Sequence, residues 1–283
     1  MLAGQHLTTA DQRIKLAMRV LSLFLGCEIR NKQTWKAERQ TVRSDRRKAG
    51  RMRLRNIPGA DEAIQKHAMV IKQELFEAET GISLKGNWEK VFKNDQKIQI
   101  EIGMGKGKFL MEMAKQNPQI NYVGIERYSS VLLRATEKFD TEEYRDLKNI
   151  RFLCMDAGEL PQIFRPGEVD KIYLNFSDPW PKARHARRRL TSEPFLNCYS
   201  QILKEEGMLE FKTDNTGLFE FSLEQIRESN AWSLQSYTYD LHGDPAKNAG
   251  NCMTEYEEKF SAQGNPIHKM TAILRKAAPV GIE

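Results

Sequence analysis

Carboxylates, one tryptophan and a run of arginines are the residues of this chain best suited to chemistry. Asp178 stands in Leu174-Asn175-Phe176-Ser177-Asp178-Pro179-Trp180-Pro181, directly after the apolar run 172–176 that reads as a buried strand. A proline has a fixed φ and no amide hydrogen, so Pro179 and Pro181 are expected to hold Trp180 in an extended turn that cannot rejoin a sheet. A carboxylate, a flat aromatic and a stiff loop at the carboxyl end of a strand suit the gripping of a planar base. Lys182, Arg184, His185, Arg187, Arg188 and Arg189 follow at once and suit a phosphate backbone. A strand end, an ordinary turn and a solvated basic helix would account for either half alone. Their abutment downstream of a glycine-rich loop favours a site. Trp180 either stacks on a base or anchors the loop.

The glycine loop is Gly103-Met104-Gly105-Lys106-Gly107, between the alternating strand pattern 98–102 and the helical pattern 108–116, which Asn117-Pro118 stops. Glycines there let a ligand approach the backbone, and the helix amino end offers free N–H groups. A second apolar strand ends in Glu126, nineteen residues after Gly107, where an acid would hold a ribose diol. The dinucleotide pattern GxGxxG needs glycine at position 108, which is Lys108. The GxGxG that remains, preceded by Glu101, favours S-adenosylmethionine over NAD: a ligand without a pyrophosphate needs no phosphate cradle. Asp156, after the third strand, would accept from an adenine amino group or cap the helix that follows.

The elements that must position these groups follow a repeating order. Strand patterns at 98–102, 122–125, 150–155, 171–176, 208–211, 232–239 and 267–274 alternate with helical patterns, including 59–80 and a Ser192-capped helix at 192–204. This predicts an α/β fold of the doubly wound, Rossmann-like class, a mostly parallel seven-stranded sheet with an antiparallel last strand. Glu126, Asp156, Asp178 and Asp214 fall at or just beyond the carboxyl ends of strands, with Glu101 inside the first. Ligands of open α/β sheets sit at that edge. Thr254-Glu255-Tyr256-Glu257 reads as part of a polar loop.

Composition bounds the rest. The 283 residues carry 40% hydrophobic and 29% charged side chains, as an ordinary globule does. Residues 1–51 hold twelve Lys or Arg against four Asp or Glu, a balance of +8 in a chain whose total is +6, so the remainder sums to −2. Global charge therefore does not argue for nucleic acid; the cluster at 182–189 does. Residues 1–51 form a basic extension, with an amphipathic helix expected at 14–25 and disorder at 30–51; Arg19 interrupts the apolar core that a signal peptide would need. The extension is either an upstream addition, with Met52 an internal start, or a basic arm. Residues 52–283 form the main domain. Cys27, Cys154, Cys198 and Cys252 lie far apart, so neither a metal-ligand pair nor a redox motif is present, and a reducing, cytoplasmic setting fits. No run reaches the roughly 18 apolar residues of a membrane span.

Together, Glu101-Ile102-Gly103-x-Gly105-x-Gly107, Gly124-Ile125-Glu126, the Leu174–Lys182 run with its Asp-Pro-Trp-Pro-Lys, Phe211-Lys212-Thr213-Asp214-Asn215 and Thr254–Glu257 resemble the bacterial tRNA (guanine-N7)-methyltransferase family over about residues 52–275. The resemblance implies a Class I methyltransferase fold, S-adenosylmethionine as donor, no metal, and methylation of a guanine N7 in the variable loop of tRNA. It implies cofactor contacts from Glu101, Gly103, Gly105, Glu126, Asp156 and Asp178, with Asp178 also catalytic. It implies substrate contacts from Lys182, Asp214, Thr254, Glu255, Tyr256 and Glu257, and tRNA contacts from Arg184, His185, Arg187, Arg188 and Arg189. Two other readings fit part of the pattern. One is a methyltransferase for exocyclic base amines, which carry a similar Asp-Pro motif; the other is an RNA-binding relative without turnover.

Overall fold

The computed structural model describes residues 57–72 and 83–275, all within the second of the two units into which the chain divides, Asn56–Glu283. The helix expected at 14–25 and the arm at 30–51 lie outside the described residues.

Seven strands among the described residues form one sheet: β1 (Ile98–Ile102), β2 (Asn121–Glu126), β3 (Ile150–Cys154), β4 (Val169–Asn175), β5 (Leu203–Thr213), β6 (Trp232–Thr238) and β7 (His268–Leu274). Their spatial order is β3-β2-β1-β4-β5-β7-β6. The first five pair in parallel, and β7 runs antiparallel between β5 and β6. This is the doubly wound, mostly parallel sheet that the order of patterns predicts.

Successive strand residues point to opposite faces, so each strand feeds two cores. Ile98, Ile100 and Ile102, Val123, Ile125, Leu153, Ile172 and Leu174 join one. Tyr122, Ile150, Phe152 and Tyr173 join the other. Helices cover both. α1 (Ala60–Lys66), α3 (Lys108–Gln116) and α4 (Ser129–Phe139) supply Ile64, Leu110 and Leu132 to the second core. α2 (Trp88–Phe92), α5 (Leu160–Ile163), α6 (Glu193–Ser200) and α7 (Thr216–Glu228) supply Trp88, Ile163, Leu196 and Phe219 to the first. Two short helices, α8 (Pro245–Asn248) and α9 (Glu255–Ser261), stand in the connection from β6 to β7. Sheet growth reverses between β1 and β4, so the crevice beyond their carboxyl ends is the topological switch point. None of the helices among the described residues is long and apolar enough to cross a membrane.

Three expected boundaries move. The helical pattern at 59–80 is a helix only to Lys66, and residues 73–80 lie outside the described residues. Val70 instead bridges Phe152 in parallel, with the Ile71 amide donating to the Phe152 carbonyl, so its apolar spacing serves the sheet edge. The helix expected to 204 ends at Ser200, and β5 begins at Leu203, because Lys204-Glu205-Glu206-Gly207 is a polar, irregular stretch of strand whose register shifts against β4. Thr254 is no loop residue in mid-course: its side chain caps α9 by accepting from the Glu257 amide.

Gly124 of β2 is a point of close approach. A Cβ there would lie 2.9 Å from Leu110 Cδ2, 3.2 Å from Phe152 Cδ1 and closer still to Met104 Sδ. Met104 belongs to the glycine turn, so the packing beneath Gly124 seats that turn. Gly124→Ala is expected to lower stability by about 1–3 kcal/mol through overpacking. A fall in the urea midpoint at unchanged m-value checks this; an unchanged midpoint refutes it.

Candidate functional site

The turn after β1 uses left-handed backbone at Gly103, Gly105 and Gly107 (φ 73°, 59° and 74°), a conformation that side chains with a Cβ rarely adopt. Its closure is electrostatic as well as steric. Glu126, at the end of β2, accepts from the Gly105 amide through Oε2 and from the Tyr128 amide through Oε1, each at 3.1 Å. Burial raises the Glu126 pKa, opposed by these backbone hydrogen bonds and reinforced by the nearby charge of Asp178. Glu101 lies deeper, 2% exposed. Its Oε1 accepts from Asn175 Nδ2 at 2.9 Å, and its Oε2 has no hydrogen-bond partner among the described residues. Burial pushes the Glu101 carboxyl up to about 8, against the opposing pull of Asn175 and of the Lys212 charge. Asn175 Oδ1 and Ser177 Oγ are likewise buried without partners. Groups this expensive to leave unpaired mark a place that expects a polar ligand.

The loop after β4 is held by strain and by one arginine. Phe176 (φ 51°) and Trp180 (φ 41°) are both left-handed without being glycine, and they bracket Asp178. Trp180 is therefore not in the extended conformation expected from its flanking prolines. The reason is Arg189, whose Nε and Nη2 donate to the Pro179 and Trp180 carbonyls at 3.1 and 3.2 Å while its guanidinium lies 4.3 Å from the Phe221 ring centroid. Arg189 thus ties the loop from below. The Trp180 ring carries the Arg188 guanidinium at 5.1 Å and meets the His185 ring edge-on at 5.7 Å.

These parts meet around two cavities. The larger, of about 670 Å³, is lined by Glu126, Arg127, Asp156, Asp178, Trp180, Arg187 and Arg188 together with other, mostly apolar residues from Ile102 to Phe195. The smaller, of about 200 Å³, is lined by Glu101, the glycine turn, Asn175, Phe176 and Thr254–Tyr256. Gly103 and Phe176 border both. Asp156 accepts from the Gly158 amide at 2.9 Å and pairs with Arg127 at 3.4 Å, so it is a cap and a cavity wall at once. Asp214 stands outside the two cavities and accepts from the Tyr256 hydroxyl at 3.3 Å, and Tyr256 is also tilted against Phe176. Glu255 pairs with Lys138 and, at 4.0 Å, with Lys106. Lys182 and Arg184 are exposed and line neither cavity. Glu257 is set apart: its side chain is fully buried against Lys212 and lines neither cavity. Sequence reasoning gave no role to Asn175, Lys212, Arg127 or Tyr128. A lysine inside the apolar strand Met208–Thr213 was a signal for Lys212; its partner is distant in sequence and was not legible.

A family model described as "Putative methyltransferase" matches residues 95–270, a span that holds every candidate site residue from Glu101 to Glu257. A tRNA (guanine-N(7)-)-methyltransferase of Lachnoclostridium phytofermentans is 54% identical over 225 residues, which is 80% of this chain and 100% of that protein. The enzyme of that name from Bacillus subtilis (strain 168) is 46% identical over 218 residues, 77% of this chain and 97% of its own. The chain belongs to the tRNA (guanine-N7)-methyltransferase family. Among solved structures, the 16S rRNA methyltransferase KamB superposes with a TM-score of 0.51 at 17% identity, covering 67% of this chain and 93% of that one. That likeness shows the fold alone, the Class I methyltransferase sheet. In this member of the tRNA (guanine-N7)-methyltransferase family, the switch point of that sheet is where the two cavities lie.

Glu101 gives the site a pH signature. Folding raises its carboxyl, so the folded chain binds an extra proton between the ordinary carboxylate range and about 8, and Glu101 costs stability increasingly as pH rises through that window. Glu101→Gln keeps an acceptor for Asn175 and removes the cost. Its Tm is expected to exceed the wild type's by several degrees at about pH 9, with the gap closing near pH 5. Equal gaps at both pH values refute the assignment.

Proposed function

We propose that this protein transfers the methyl group of S-adenosylmethionine to N7 of a guanine in tRNA, within the variable loop. The observation that carries the reading is a large cavity that Glu126, Asp156 and Asp178 line together with Trp180, Arg187 and Arg188. The names of the relatives agree with it.

The residues present suit the donor. The combined space of the cavities falls in the range of small-molecule sites. The orphaned Glu101 Oε2 on the smaller cavity suits an ammonium group. Glu126 and Asp156, with Ile125, Val131 and Met155 between them, suit a ribose and a flat base: each carboxylate oxygen already engaged by a backbone amide keeps a second lone pair. When bound, the donor supplies an electrophilic methyl group on a sulfonium. The chain's own residues then have a light task. Guanine N7 has an in-plane lone pair and no proton, so no residue has to act as a general base, which agrees with a site rich in Asp and Glu. What remains is positioning and stabilisation of the positive charge that appears on the purine. The left-handed Phe176 and Trp180 on either side of Asp178, and its place on the cavity wall, support assigning it both tasks. Arg187 and Arg188, exposed on the outer wall, suit the tRNA phosphates. We set Arg189 apart from them, because two of its donors are taken by the loop it holds and its guanidinium lies over the Phe221 ring. A tRNA-modifying role and the free thiols at Cys154, Cys198 and Cys252 support a cytoplasmic setting.

Labelled S-adenosylmethionine and bulk tRNA, followed by nucleoside mass spectrometry, test the reading: label is expected as 7-methylguanosine. Label on an exocyclic amine, or no transfer, overturns it. Asp178→Ala is expected to lower kcat by about 10²-fold or more with the thermal transition unchanged; near-normal turnover removes Asp178 from the catalytic role. Replacing Arg187 and Arg188 by alanine is expected to weaken tRNA binding and lower its salt slope by about 1 per lost phosphate contact. Arg189→Lys is expected to slow turnover with that slope intact, and a lowered slope would return Arg189 to the RNA-contacting set.

A further inference from the structure

The buried pair Lys212–Glu257 has no part in the mechanism above. Both side chains are fully buried, with Nζ to Oε2 at 2.6 Å. Nζ also donates to Asn251 Oδ1 at 3.0 Å and to the Cys252 carbonyl at 2.9 Å, so all three ammonium hydrogens have acceptors. Glu257 Oε1 accepts from Asn251 Nδ2 at 2.7 Å and lies 3.3 Å from His242 Nε2. An apolar pair of similar volume often stabilises a core as well as or better than a buried ion pair, so stability alone does not explain charges here.

The surroundings of Lys212 supply another explanation. Its carbonyl accepts from the Phe176 amide at 2.8 Å, which is where the chain leaves β4 for the Asp178 loop. Its register partner on β4 is Asn175, the residue that holds Glu101. Its ammonium lies 5.3 Å from the ring centroid of Phe109, in the first turn of α3 after the glycine turn. Through Glu257, three residues beyond the Thr254 cap, it fixes the start of α9, whose Thr254, Glu255 and Tyr256 wall the smaller cavity.

We propose that Lys212 is a positioning residue of the methyl-transfer site: its buried ammonium clamps Glu257, and with it the Thr254–Tyr256 wall, to β5, the strand paired with the one that launches the Asp178 loop. Glu257 then serves as the other jaw of the clamp and makes no contact with substrate. The proposal rests on the methyl-transfer reading, which supplies its assay.

The test compares Lys212→Met, Glu257→Leu and the double variant with the wild type, measuring Tm, tRNA methylation and calorimetric binding of S-adenosylmethionine across pH. Each single variant leaves a buried charge without its partner and is expected to lower Tm. The double variant is expected to recover most of that loss, yet to remain about 10- to 100-fold down in kcat because the cavity wall is no longer held in place. The pH profile gives a readout that packing does not move. The charged and titratable groups around Glu101 are Lys212, Glu126, Tyr173 and Cys252, beside the amide of Asn175. Lys212 is the positive charge among them, so its loss in the double variant is expected to move the acid limb of donor binding to higher pH. Should the double variant not fold, Glu257→Gln, which keeps an acceptor for Lys212, is expected to fold and to lower kcat without changing tRNA affinity. Activity that returns together with Tm in the double variant, an unmoved acid limb, or full activity in Glu257→Gln overturns the proposal. A wild-type protein that binds the donor but methylates no tRNA overturns the function and this proposal with it, and so is distinguished from failure of the proposal alone.

Discussion

The constraint on which this structure depends is the gathering of carboxylates at a partly buried edge. Glu101, Glu126, Asp156 and Asp178 line the two cavities at the switch point of the sheet, where burial raises the pKa of Glu101 and Glu126 and the neighbouring carboxylates add to it. Specific partners hold Glu126, Asp156 and Glu101. Glu126 takes two backbone amides, one from the glycine turn. Asp156 takes the Gly158 amide and Arg127. Glu101 has Asn175 and, through space, Lys212. The glycines, the cap and the strand register are in this sense the means by which an acidic rim is kept in place. Because Glu126 pulls on Gly105, the rim also shapes the turn that borders it.

A second store of free energy lies in the loop that presents Asp178. Left-handed backbone at Phe176 and at Trp180 costs of order 1 kcal/mol or more each, and such conformations persist only where the surroundings over-determine them. Here the surroundings are identifiable: the Lys212 carbonyl at one end, and Arg189 under the Pro179 and Trp180 carbonyls at the other. The basic run after the loop thus divides by geometry, one arginine facing inward to hold the backbone and its neighbours facing the cavity and solvent.

Much of the fold was legible because the strands are short, alternating and bounded by glycine, proline or acid, and because covering both faces of the sheet leaves the apolar residues in plain periodicity. What was misread has physical causes. Val70 and Ile71 sit at helical spacing from Ile64, and spacing cannot tell a fourth helical turn from a bridge to Phe152. Lys204 to Gly207 carry the polarity of a turn, although their backbone is part of β5. Thr254 and Glu257 have the three-residue spacing of a helix cap, but the polar residues around them carry the composition of a loop. The acids of the site were readable because position at a strand end is a local property. The division between Arg187 and Arg189 was not, since it depends on which carbonyls the fold brings within reach. Nor was the burial of Glu257, which is set by a lysine 45 residues away.

The same geometry explains how a body of nearly neutral balance can serve a polyanion. Net charge governs long-range attraction, but the field inside a cleft is set by the groups that line it. The larger cavity is lined by groups of both signs, Glu126, Asp156 and Asp178 together with Arg127, Arg187 and Arg188. Arg127 pairs with Asp156, whereas Arg187 and Arg188 are exposed. A lining of both signs suits a ligand that carries both charges, whatever the balance of the body around it.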